Sequence, residues 1–119
     1  MDTIAHNDYE NGYKEKIRGG ILLVTNSSYA WKLMVKTNDS NMGVIGSYAK
    51  SIDDFYWRAT GTFAEQTSYT SMTNYDVEVA RGPMGSIGAV YIDYKILLSW
   101  AQDVPGDYNL IVVYTVTTQ

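Results

Sequence analysis

Two runs in the last quarter of the sequence alternate strictly. From Ala89 to Trp100, Val90, Ile92, Tyr94, Ile96, Leu98 and Trp100 share one parity. From Gly106 to Thr118, Tyr108, Leu110, Val112, Tyr114 and Val116 do the same. That period belongs to a strand, whose side chains alternate between faces, and not to a helix. Between the runs, Pro105-Gly106 reads as a turn, because proline fixes φ and glycine accepts positive φ. The pair is expected to form an antiparallel hairpin, or else to place one strand in each of two facing sheets.

The same pattern recurs upstream. Ile21 to Thr25 is a short apolar run, expected at a sheet centre or buried on both faces. Trp31 to Thr37 places Trp31, Leu33 and Val35 inward and Lys32 and Lys36 outward. Asn38-Asp39-Ser40-Asn41 is a polar turn, and 42–54 holds one short strand and a loop. Phe55 to Thr60 alternates up to Gly61, an edge strand is expected around Ser68 to Met72, and Val77 and Val79 mark a strand at 76–80. The loop Arg81 to Gly88 carries Met84 and Ile87, either a contact surface or, as favoured here, side chains folded back onto the body. Seven or eight strands with turn signals every ~8–12 residues predict an all-β, two-sheet antiparallel sandwich of immunoglobulin-like or jelly-roll type.

Residues 1–20 read differently. Seven charged residues fall within 1–18, and Tyr9, Tyr13 and Ile17 sit four apart, a spacing that fits one side of a helix or of a strand. Gly19-Gly20 is the expected hinge. The division predicted is therefore an N-terminal arm with its glycine hinge at 1–20 and a sandwich domain at 21–119. A detachable arm and open sheet edges together suggest docking by strand addition, with Ile4, Tyr9, Tyr13 and Ile17 as the plugs.

At 119 residues the chain is long enough for one self-sufficient core. Eleven tyrosines are its compositional oddity, and they suit strands and half-wet surfaces. A net charge of −4 without a basic stripe argues against nucleic acid. The absence of cysteine removes disulfides and thiolate chemistry. No apolar run reaches the ~18 residues that a membrane-spanning helix needs.

Catalytic chemistry finds little footing. His6, the single histidine, has no nucleophile or orienting acid beside it. Asp53 and Asp54 are adjacent, so on a strand they point to opposite faces and do not flank one bond. Asn38 to Asn41 offers oxygens to calcium but lacks the spacing and bidentate Glu of an EF-hand, so turn chemistry is the better reading and no cofactor is expected. Gly82, Gly85 and Gly88 precede a strand, not the helix that a phosphate loop needs. Asn26 and Asn38 begin glycosylation triplets in loops. The chain is expected not to be an enzyme.

Two segments carry a resemblance. Val24-Thr25-Asn26 followed by Trp31-Lys32-Leu33-Met34-Val35 is one; Trp100 through Asp103-Val104-Pro105-Gly106-Asp107-Tyr108, leading to Tyr114-Thr115-Val116-Thr117, is the other. Together, about a third of the chain resembles immunoglobulin-like modules of bacterial and archaeal adhesins and filament subunits. The ending Tyr114 to Gln119 is similar to the close of camelysin-like biofilm fibre proteins. The resemblance implies a subunit of a pilus, fibre or sheath at the cell surface, partnered by its own copies and by surface glycans. It also implies that Tyr108 serves as a tyrosine corner. Such proteins carry an export signal, so the sequence would be the mature form. The alternative reading is a carbohydrate-binding or adhesive sandwich, with Tyr56, Tyr69 and Tyr91 placed outward to stack on sugars.

Overall fold

The computed structural model describes residues 12–45, 48–98 and 110–119. Trp100, Tyr108, the Pro105-Gly106 turn, Ile4, His6 and Tyr9 lie outside the described residues. The described chain is all-β: β1 (Tyr13–Thr25), β2 (Trp31–Thr37), β3 (Asn41–Ile45), β4 (Tyr48–Ser51), β5 (Phe55–Gly61), β6 (Thr70–Ser71), β7 (Val77–Gly82), β8 (Ile87–Leu97) and β9 (Val112–Thr118). A single 3₁₀ turn, Ile52–Asp54, leads into β5.

The sandwich has one sheet ordered β1-β8-β5-β6 and one ordered β7-β2-β9, with β3-β4 as a separate hairpin; every pairing is antiparallel. The inward faces meet in one core. Trp31, Leu33 and Val35 from β2 and Val79 from β7 pack with Phe55, Trp57, Ala59, Val90, Ile92 and Ile96 from the larger sheet. Alternation set this: in β2 and β5 every second residue is buried, so each strand turns one parity into the core. Full burial of each such side chain contributes roughly 1.5–3 kcal/mol.

Several expectations are corrected. The last two long strands do not form the hairpin; they take the alternative arrangement, one in each facing sheet, β8 in the larger and β9 in the smaller. Ile21 to Thr25 is not central. It is the second half of an edge strand, with Val24 buried, Leu22 half-buried, and Ile21 and Leu23 60% and 72% exposed. The apolar run therefore covers an inner and an outer face, and only the inner one is packed. The 42–54 stretch forms two strands, not one.

Gly19 and Gly20 lie inside β1. Between Lys16↔Tyr94 and Gly20↔Ile92, four residues of β1 pass while β8 advances by two. A bulge absorbs the difference, and Arg18 sits in it at φ 54°. The glycines serve close approach: a Cβ on Gly19 would lie 2.5 Å from the Tyr94 ring, and one on Gly20 2.9 Å from the Tyr94 hydroxyl. Tyr13 and Ile17, expected on a detachable arm, are in the first half of β1, which pairs with β8 of the same chain.

Candidate functional site

The two flanks of the sandwich differ. On one flank, residues 63–66 stitch the sheets together through backbone hydrogen bonds. Gln66 C=O accepts from Ala59 N–H of β5 (2.7 Å), Glu65 N–H donates to Val79 C=O of β7 (2.9 Å), and Arg81 N–H donates to Phe63 C=O (3.2 Å). Phe63 also packs edge-on against Trp31. On the other flank, β1 and β9 face each other as sheet edges, and among the described residues no ladder joins them.

The register identifies what that second flank exposes. Val116 opposes Leu33, and Tyr114 opposes Val35. Leu33 and Val35 are core residues, so Tyr114 and Val116 have core parity as well. Yet Val116 is 55% exposed and Tyr114 is more than a third exposed. A cleft of about 130 Å³ opens there, lined by Ile21, Leu22, Leu33, Ile92, Tyr114 and Val116. Leu33 and Ile92 belong to the core, so the cleft reaches from the surface to the centre of the sandwich. The Tyr94 and Tyr114 hydroxyls meet across it. Burial of Tyr94 pushes its hydroxyl up to about 12.

A second concentration of side chains lies on the outer face of the larger sheet. Cross-strand rows place Tyr56 beside Lys95 and Glu15, Arg58 beside Asp93, and Thr60 beside Tyr91 and Ile21. Asp93 is 2% exposed. It accepts from Arg58 Nε (2.8 Å) and from the Arg18 backbone N–H (2.8 Å). Cations rest on tyrosine rings throughout: Arg18 over Tyr91 (4.2 Å), Arg58 over Tyr69 (4.5 Å), and Lys95 over Tyr13 (4.9 Å) and Tyr69 (5.4 Å). The Tyr69 hydroxyl donates to Glu15 Oε2 at 2.5 Å. Burial, then this bond, pushes the Tyr69 hydroxyl up, while the Asp93 bond raises Arg58.

Met84 and Ile87 do not fold back; they are 70% and 71% exposed. Hydrogen bonds tie their loop to Ser27 instead: Gly85 N–H donates to Ser27 C=O (2.7 Å), and Ser27 Oγ donates to Pro83 C=O (3.2 Å). Exposed Tyr29 follows on the same 26–30 connection.

The polar turn works as turn chemistry. Asp39 Oδ2 accepts from Ile111 N–H (2.9 Å), holding the entry to β9, and Asn41 Oδ1 accepts from Gly43 N–H (2.9 Å). Asp54 pairs with the buried Lys50 ammonium (3.0 Å). No group of three or more His, Asp or Glu able to hold a metal occurs among the described residues, and no helix there is long and apolar enough to cross a membrane.

The parity of β8 gave notice of the outer face, since Tyr91, Asp93 and Lys95 alternate with core residues. Nothing local revealed that Arg18, Arg58 and Glu15 would join them, because that depends on cross-strand register. No known protein family, curated protein or solved structure matches the chain.

Proposed function

We propose that the chain is a structural subunit of an extracellular surface assembly, a pilus, fibre or sheath, built by strand donation between copies. The observation that carries this reading is the β1/β9 flank. Two strand edges that have no ladder partner among the described residues flank a cleft that descends to Leu33 and Ile92, and core-parity side chains of β9 stand exposed along it. A strand laid there would bond to β1 on one side and β9 on the other. Each added backbone bond contributes roughly 0.5–1.5 kcal/mol, and alternate side chains would fill the cleft. A head-to-tail contact of this kind does not close, so it grows filaments.

Tyr13 and Ile17 already belong to β1. The donated segment is therefore confined to residues 1–11 of a neighbouring copy, with Ile4 and Tyr9 as its plugs. The extracellular setting rests on the resemblance to adhesin and filament modules.

Sedimentation velocity and negative-stain microscopy of the full chain test the reading. Concentration-dependent filaments are expected, and Val116→Lys, an exposed site, is expected to leave a folded monomer. Deletion of residues 1–11 should do the same. A native chain that stays monomeric near millimolar concentration sinks the proposal. A deletion variant that polymerises normally removes residues 1–11 as donor.

A further inference from the structure

The outer face of the larger sheet combines three features that the assembly reading does not use. The first is an imbalance of partners. Arg58 spends one donor on Asp93, and its remaining N–H groups have no protein acceptor among the described residues. Lys95 and Arg18 rest on tyrosine rings, and neither has a carboxylate within ion-pair distance there. Among the described residues three cations thus face two carboxylates, Asp93 and Glu15, in a chain whose net charge is −4. Counted over these residues, the patch carries a positive excess on an acidic protein.

The second feature is strain. Arg18 adopts φ 54°, a left-handed conformation that residues other than glycine seldom take. The bulge that imposes it aims the Arg18 backbone N–H at Asp93 and lays the guanidinium over Tyr91. The third is spacing. Lys95 and Tyr91 are four residues apart on β8, which sets the Lys95 and Arg18 charges roughly 13 Å apart along the sheet, a few sugar rings.

We propose that this face binds an acidic polysaccharide, its carboxylates taken by Lys95, Arg18 and the free donors of Arg58, and its C–H faces packed on Tyr56. Guanidinium and ammonium groups recognise carboxylate through charge-assisted bonds. A single-stranded nucleic acid is the weaker fit. Its bases need open aromatic faces, and the rings of Tyr69 and Tyr91 each lie under a cation. The face points away from the core and borders the β1/β9 cleft at Ile21.

Affinity electrophoresis and calorimetry of the full chain test the proposal, with alginate and polygalacturonate as acidic probes, dextran as the neutral one and oligothymidylate as the nucleic acid. Binding to at least one acidic polymer, weakened by added salt, is expected. Lys95→Gln and Arg18→Asn should each weaken it about tenfold. Asparagine tolerates the Arg18 backbone, and Lys95→Arg should retain binding. Circular dichroism of each variant separates lost binding from lost folding. Equal retention by dextran, tighter binding of oligothymidylate, no binding to either acidic polymer, or variants that bind as the native chain does would each overturn the proposal.

Discussion

Gly61 shows how one residue can be fixed by its surroundings. It holds φ 109°, and a Cβ there would lie 2.4 Å from the Ala89 carbonyl oxygen. The clash is with backbone of the paired β8, which cannot swing aside. Gly61→Ala is expected to lower stability by roughly 2–4 kcal/mol, read as a lower urea midpoint with the slope unchanged. Tyr94 makes a prediction about pH. Burial favours its neutral form, raising the folded-state value to about 12 against about 10 for a free tyrosine. The unfolded chain therefore loses this proton first. The stability it contributes is complete below pH 10 and is lost between about 10 and 12. Thermal unfolding of Tyr94→Phe should fall less steeply than the native chain across that window.

Among the elements, β2 and β5 were legible, because both faces of the signal agree: every buried position except Thr37 is apolar, and its neighbours are polar or half-wet. In β8 the phase was legible, and of the two arrangements the sequence allowed, the structure takes the one with facing sheets. Alternation reports which side of a strand is apolar, but it carries no record of which sheet that strand joins. The glycine pair misled in another way. Gly19-Gly20 reads locally as freedom, while the cause is the Tyr94 ring, 75 and 74 residues further along the chain. On β9 the parity assigned to Tyr114 and Val116 is the core parity, yet both are substantially exposed. Sequence periodicity marks what is built to be covered; it does not say that the cover comes from the same chain. That difference is why Val116→Lys is expected to abolish filament growth without unfolding the subunit.

At the scale of the molecule, two surfaces with different chemistry share one sandwich. The cleft is apolar and opens at a flank; the cation and tyrosine array is polar and covers a broad face. Under the two proposals a subunit would join its neighbours through one and meet a glycan through the other, and the two sets of variants separate these roles. Apolar groups at the Met84 and Ile87 loop add a third exposed region, at the start of β8.

The unequal flanks also bear on motion. With 63–66 bonded to both sheets, that side resembles the spine of a book, and thermal opening is expected first at the β1 and β9 margins. Deuterium should enter the amides of Tyr114 to Thr118 well before those of Glu65 and Arg81. When subunits polymerise, uptake at the margins should slow while the spine keeps its rate, so isotope labelling would follow the closing of the covers directly.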